Sequence, residues 1–496
     1  MERSMDTLNN NLQFKEESPV LPRLDRSKIS SSIVHIGVGN FHRSHQETFL
    51  QRYMEETGRT DLAVYGISVR DNDKALAQML NAQDCLYTVL EQSDKEDARD
   101  YLVSSLLSYA VLSENYKQIM EKLCDPTTTL VSLTVTEGGY NFNDSTGEFQ
   151  TENPDIQHDI AQKSETKTFY GLLYESLKTR REKGIPPFDL LSCDNVEKNG
   201  EILKKGLLSF ASQISKEMEE WIHKNVAFPC SMVDRITPLT SQEDKEYIQK
   251  KYSYIDNCPV PCEPFILWVI EDHFNNPRPD LDKLENVYFV QDVSPHEKMK
   301  MRLLNAGHVV FSHMALLEGL EYSSDFMRAY PFDIAVEKMM REEALPFVGE
   351  VPGFDVTGFL NNTIQRFKNP KIKDQTLRLA TDTSNRTTKF ILPTIEDSIV
   401  RINKAPPLLT LGVAGWCYAL SEGLEFADIL RESLVEAAGK AVRSEGRIFI
   451  QALPEIFTKT LRESPVFIDC FEESLKRICD NGPQRALSLT LEKYYP

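Results

Sequence analysis

Between Ile33 and about Ser294 the chain alternates short, nearly unbroken apolar runs with stretches of mixed polarity. The runs are Ile33-Val34-His35-Ile36, Val64-Tyr65-Gly66-Ile67, Leu130 to Val135, Leu190-Leu191 and Val287-Tyr288-Phe289-Val290. A strand buried on both faces shows no polar alternation, so this pattern predicts a parallel sheet with crossover helices. Beyond Pro295 the β-branched runs fade and helical periodicity takes over, notably across 299–317, 334–342 and 426–444. The expected architecture is an α/β domain with a parallel sheet over 31–294, then a mainly α-helical domain over 295–496. Residues 1–30 are polar, carry Pro19 and Pro22, and read as an N-terminal arm lying on the surface.

Length supports two domains, since 496 residues exceed what one ordinary core holds. The formal charge of -19 argues against nucleic-acid and anionic-membrane partners, which need a basic face. Nine cysteines scattered over a long chain suit a reducing compartment better than a disulfide framework. The N-terminal stretch has no apolar core of the secretory kind. The longest apolar segment, Leu408 to Leu420, is well short of the roughly 20 residues that span a bilayer, so a buried helix and a cytoplasmic location are expected.

The first apolar run leads into Gly37-Val38-Gly39-Asn40-Phe41-His42-Arg43. Two glycines where a strand turns into a helix suit a dinucleotide loop: the first permits the turn, the second lets backbone approach a pyrophosphate. His42 stands where a standard fingerprint has its third glycine, and Arg43 is placed to meet a phosphate. The second run ends in Arg70-Asp71; an acid there suits ribose hydroxyls and an arginine suits a 2′-phosphate, leaving NAD and NADP both open. Later strands end in Thr136-Glu137-Gly138-Gly139, Ser192-Cys193-Asp194-Asn195 and Met232-Val233-Asp234-Arg235. Ligands gather at the carboxyl ends of such strands, which makes Glu137, Gly138, Asn195 and Asp234 candidate contacts. A Rossmann-type dinucleotide-binding domain is the reading.

The opening of the second domain, HEKMKMRLLNAGHVVF, carries Glu297, Lys300, Asn305 and His308. At about 100° per residue these fall on one arc of an α-helix whose other residues are strongly apolar. Polar groups on a buried arc need partners, and a ligand cleft supplies them. A lysine taken out of water loses preference for its charged form, so Lys300 can serve as general base for alcohol oxidation. The side-chain amides of Asn305 and Asn195 would then stabilise the oxygen on which negative charge develops.

Metal is the rival device. His42-x-x-His45 and Cys258-Pro-Val-Pro-Cys262 are the suggestive pairs, but neither has further ligands at zinc spacing, so no metal is expected. No G-x-S-x-G elbow or P-loop appears.

The runs IVHIGVGNFHRSHQ, LTVTEGGYN, SCDNVEKNG, MVDRITP, KMRLLNAGH and RFKNPKIKDQTLRLA, in this order, together resemble the polyol-specific long-chain dehydrogenases. The resemblance covers residues 33 to roughly 400. It implies a Rossmann-type domain, a helical C-terminal domain, and zinc-independent oxidation of D-mannitol to D-fructose with NAD. It implies Lys300 as base, Asn195 and Asn305 on the reacting oxygen, and His308 as a hydrogen-bonding orienter of substrate. It further implies Asp234 and Arg378 on other substrate hydroxyls and Glu297 in proton passage to solvent. Arg378 rests on the resemblance alone. The sequence departs from the family's common form around Asn385 and at Trp416-Cys417-Tyr418, which bears on the choice of polyol. Sorbitol, arabinitol or a hexuronate are the alternatives. A phosphorylated substrate calls for a basic cluster, and none is apparent near the motifs. A catalytically silent nucleotide-binding protein is the rival of another class, disfavoured by Lys300. Oligomeric state is left open by the sequence, a monomer being compatible.

Overall fold

The computed structural model describes residues 5–14, 17–94, 98–143, 146–161 and 165–496. The chain divides into two compact units, Met1–Ser294 and Pro295–Pro496.

All strands of the described residues lie in the first unit. In chain order they are β1 (Ser31–Ile36), β2 (Ala63–Ser68), β3 (Tyr87–Glu91), β4 (Asp100–Val103), β5 (Leu106–Val111), β6 (Leu130–Leu133), β7 (Asp189–Ser192), β8 (Ser231–Asp234), β9 (Val260–Cys262), β10 (Leu267–Glu271) and β11 (Val287–Val290). The main sheet has the order β5-β2-β1-β6-β7 and every pair in it is parallel. Neighbouring side chains of one strand feed different cores: Ile33 joins the cluster of Phe49, Leu50 and Tyr53, while Val34 and Ile36 join that of Leu133, Leu172 and Leu177. Burial on both faces is what the unbroken apolar runs demand.

The run Val287–Val290 departs from expectation. It forms β11 in a separate sheet, β11-β10-β8, parallel to β10 while β8 is antiparallel. A third sheet, β4-β3-β9, completes the unit. The N-terminal arm is docked rather than merely resting on the surface: Leu8 is fully buried against Leu86, Ile248 and Tyr254, and Val20 bridges to Tyr101.

The regular elements of the second unit, among its described residues, are all helices, apart from one bridge between Tyr322 and Gln375. The helix Pro407–Ser421 is buried on nearly all sides and packs against Pro465–Asn481 and Arg431–Arg443. No helix among the described residues is long and apolar enough to cross a membrane. The amino end of Pro407–Ser421 is capped from afar: the buried Glu343 carboxyl accepts the N–H groups of Leu408 (2.7 Å) and Leu409 (2.8 Å), and the Tyr495 hydroxyl donates to it. Burial lifts the Glu343 carboxyl to about 7.

The expected helical stretches are interrupted at three places by π-helical turns, Met301–Asn305, Met339–Ala344 and Thr387–Ile391. The first of these packs against both others. Such turns are rare and concentrate at functional sites.

Candidate functional site

In the first unit a cleft of about 1050 Å³ opens at the carboxyl ends of the main sheet. It sits where the strand order reverses, between β1 and its neighbours β2 and β6, the place at which open α/β sheets hold ligands. Gly37, Val38, Gly39, Asn40, Phe41, His42, Asp71 and Gly138 all line it. Gly37 has φ +99°, and a Cβ there would come within 2.1 Å of the Thr134 carbonyl oxygen, so the turn accepts only glycine. A Cβ on Gly39 would meet nothing within 4 Å, because that position faces the open cleft. This combination, a strand-end turn pinned on one side and bare backbone on the other, fits a dinucleotide.

His42 replaces the third glycine of the fingerprint by packing flat. Its ring stacks on that of His35 with centroids 3.4 Å apart and planes within 9°. His35 in turn bonds Ser132 Oγ (2.8 Å) and Thr134 Oγ1 (2.9 Å), tying β1 to β6 beneath the loop. Arg43 corrects the sequence reading. Its guanidinium is 2% exposed and turned away from the cleft, donating to the Cys258 carbonyl and to Asn40 Oδ1 (2.7 Å) above the Tyr87 ring. It is a strut for the loop, since buried guanidinium needs acceptors and finds them in the protein.

Asp71 follows β2 in a short 3₁₀ turn. Its Oδ1 accepts from Ser113 Oγ (2.6 Å) and pairs with Lys74 Nζ (3.1 Å), and these contacts hold the carboxyl below its usual range. Glu137 is exposed on the turn Glu137–Tyr140 and does not line the cleft, whereas Gly138 beside it does. That turn is anchored by a residue the sequence reading passed over. Asp194 is buried and accepts from the N–H groups of Val135 (3.0 Å) and Thr136 (2.8 Å) and from the Tyr140 hydroxyl (2.7 Å). Its neighbour Asn195 is exposed in the segment after β7. Asn199 bonds the Asp194 carbonyl (2.9 Å) and both backbone groups of Ser231, which locks the exit of β7 to the start of β8. Asp234 ends β8 and is buried.

The two histidines weighed as metal ligands turn their Nε2 atoms to different partners. His42 Nε2 faces Glu47 while His45 Nε2 donates to the Leu267 carbonyl (2.8 Å). Cys258 and Cys262 are free thiols.

In the second unit Glu297, Lys300, Asn305 and His308 are all buried. Their geometry differs from the α-helical wheel. The helix Ser294–Lys300 passes into the π turn Met301–Asn305 before α-geometry resumes at Ala306–Val309. An α-helix sets Lys300 and Asn305 roughly 140° apart. Hydrogen bonds spanning five residues instead align positions five apart, which turns Asn305 toward the Lys300 side. The turn is held from outside by Arg302, which donates to the Phe347 carbonyl (2.8 Å) and pairs with Asp397 (2.6 Å).

His308 stacks on Phe367 with centroids 3.8 Å apart. Its Nε2 is buried and has no hydrogen-bond partner among the described residues. Burial holds the imidazole well below its usual pKa, and the charges of Arg378, Arg366 and Arg386 push the same way. The fold thus assembles three arginines about His308, a basic cluster that sequence spacing did not reveal. Arg378 is half exposed and paired with Asp374 (2.6 Å), four residues earlier. The chemistry of this unit is that of a buried amine, an amide and a neutral imidazole.

Two family models match, one after the other. Residues 31–283 match the mannitol dehydrogenase Rossmann domain and residues 292–479 the mannitol dehydrogenase C-terminal domain. A mannitol 2-dehydrogenase of Aspergillus fumigatus is 36% identical over 485 residues, covering 96% of this chain and 95% of its own. A mannitol dehydrogenase of Saccharomyces cerevisiae is 33% identical over 505 residues, covering 99% of this chain and 100% of its own. Among solved structures, the Pseudomonas fluorescens mannitol 2-dehydrogenase ternary complex with NAD and D-mannitol is similar at TM-score 0.85 and 34% identity, over 98% of this chain and 100% of that one. A substrate-free D-sorbitol dehydrogenase is similar at TM-score 0.86 and 28% identity, over 97% of this chain and 100% of that one.

Proposed function

Because this chain belongs to the mannitol dehydrogenase family, we propose that it oxidises D-mannitol to D-fructose, and catalyses the reverse reduction, with NAD as cofactor and Lys300 as general base. The observation that carries the reading is full-length likeness to a protein solved with NAD and D-mannitol. NAD bound in the cleft lined by Gly37 to His42, Asp71 and Gly138 supplies the hydride acceptor.

The rest falls to the chain. Neutral Lys300 takes the proton of the reacting hydroxyl at Nζ. The amides of Asn305 and Asn195 donate to the oxygen as its negative charge builds. His308 is neutral and carries a buried Nε2 without a partner among the described residues, so it hydrogen-bonds a substrate hydroxyl. Asp234 and Arg378 hold further hydroxyls, and Glu297 passes the proton from Lys300 toward solvent. The base in this reading is an amine, and no metal-bound hydroxide is assigned that part.

A second reading is reduction of a hexuronate. It is favoured by the arginines about His308, which suit a carboxylate on the substrate. One experiment separates the two. NADH formation is followed with D-mannitol, D-sorbitol and D-arabinitol, and NADH consumption with D-fructose and keto-hexuronates. Preference for D-mannitol and D-fructose upholds the proposal; preference for the acids moves it to the second reading, and turnover of none overturns both.

A further inference from the structure

Arg302 sits inside the π turn Met301–Asn305, between Lys300 and Asn305, and is buried. Residues two apart lie on opposite sides of a helix, so its side chain leaves the turn away from Lys300. One nitrogen, Nη1, makes two bonds: to the Phe347 carbonyl (2.8 Å) and to Asp397 Oδ2 (2.6 Å). Phe347 belongs to the helix Leu345–Val348, which continues directly from the π turn Met339–Ala344. Asp397 belongs to the helix Leu392–Ile402, which continues directly from the π turn Thr387–Ile391. A single NH2 group thus refers the first π turn to the other two. The Phe347 carbonyl lies in the last turn of its helix, where no intrahelical donor reaches it. Asp397 also meets Arg401 at 3.6 Å, and Lys298 lies beside the pair.

We propose that Arg302 is a positioning residue for polyol oxidation: its two bonds hold the Met301–Asn305 turn in π register and thereby keep Lys300 on the side that Asn305 faces. The proposal rests on the roles given to Lys300 and Asn305 above. A π turn is the rare form of helix, and nothing in the composition of this one selects it, so contacts from outside have to. Relaxing to α geometry would rotate the half bearing Glu297 and Lys300 by about 100° against the half bearing Asn305 and His308. The second half cannot follow. Gly307 fits there only without a side chain, since a Cβ would come 2.9 Å from Phe367 Cε2 and 3.1 Å from Met340 Sδ. Met340 itself stands in the second π turn, so that turn pins the segment after Asn305 while Arg302 pins the segment before it. Without Arg302 the base would swing away from the oxygen that Asn305 holds. Arg401 keeps a cation beside Asp397 when Arg302 is removed, so the loss is one of register rather than of charge.

Steady-state oxidation of the polyol turned over fastest, with NAD saturating, separates position from fold. Arg302→Met should lower kcat at least about tenfold, since misplacing a group by an ångström costs up to about a hundredfold, while KM for the polyol and NADH affinity stay within about threefold. Arg302→Lys, which keeps the charge and a donor, should restore part of kcat. Asp397→Ala, at a part-exposed position, should lower kcat in the same sense and decides the matter if Arg302→Met does not fold. In the Lys300→Ala background Arg302→Met should cost much less than in the native chain, because groups acting as one unit are not additive. Hydrogen exchange of the 301–305 amides should be faster in the Arg302 variant than in the native chain. Native kcat in Arg302→Met or, where that variant does not fold, in Asp397→Ala overturns the proposal. So does a loss confined to KM, an undiminished loss in the Lys300→Ala background, or unchanged exchange. Native turnover by Lys300→Ala instead sinks the base reading, and this proposal with it; slow Lys300→Ala beside fast Arg302→Met sinks this proposal alone.

Discussion

His42 Nε2 lies 3.2 Å from Glu47 Oε1 with both side chains closed to solvent, and burial keeps both neutral. The Glu47 carboxyl is pushed up to about 8 and the His42 imidazole down to about 3. The pair beneath the dinucleotide loop is therefore a neutral hydrogen bond.

A pH dependence follows. Between the ordinary carboxyl value of 4.5 and about 8, the unfolded chain releases the Glu47 proton and the folded chain keeps it, so this group costs stability as pH rises. His42 acts oppositely, costing stability as pH falls from 6.5 toward about 3. Glu47→Gln removes the first effect only. Its Tm relative to the native chain should climb steadily from about pH 5 to about pH 8. A difference in Tm that is flat across that range would count against a neutral Glu47.

The two loop glycines should separate fold from binding. Gly37→Ala places a methyl 2.1 Å from the Thr134 carbonyl oxygen at positive φ and should cost about 3 kcal/mol or more in urea denaturation. Gly39→Ala points into open cleft and should leave the urea midpoint nearly unchanged while weakening nucleotide binding measured by fluorescence.

Lys300→Ala should retain nucleotide binding while lowering polyol oxidation by at least about a hundredfold, the usual weight of a general base. Turnover near the native rate would remove Lys300 from the mechanism.

Arg43→Gln tests the strut. Leaving the Cys258 carbonyl and Asn40 Oδ1 without their donor should cost about 1–3 kcal/mol for each group in stability. The salt dependence of nucleotide binding should not change, because this charge faces away from the cleft.

Dialysis against a chelator should leave NADH production by the native chain intact. Activity lost and restored by zinc would transfer the base role from Lys300 to a metal-bound hydroxide.

The apolar runs made the parallel sheet legible because burial on both faces leaves an unmistakable trace. They did not show that Val287–Val290 pairs in another sheet, since β10, its partner, differs from β11 only in what lies around it. The polar residues of the Lys300 segment were legible as a group. Their angular placement was not, because a π turn has no composition of its own and depends on the two other π turns packed against it. Arg43 was misplaced for a related reason: sequence shows a cation beside a phosphate loop but not the Asn40 and Cys258 oxygens that claim it. The arginines about His308 come from positions 366, 378 and 386, on different elements, and only the fold gathers them. Phe367, beside Arg366 in the chain, is the signal that was available.

The cap on the helix Pro407–Ser421 has a consequence for the order of assembly. Its carboxyl comes from 65 residues earlier in the chain and the hydroxyl that meets that carboxyl lies 152 residues from it. Contacts this distant in sequence close large loops before they repay the lost entropy, so they form late and together. The helical unit should accordingly acquire its packing in one concerted step, with the Glu343 turn, and through it the Met301–Asn305 turn that follows Lys300, set only when Tyr495 arrives.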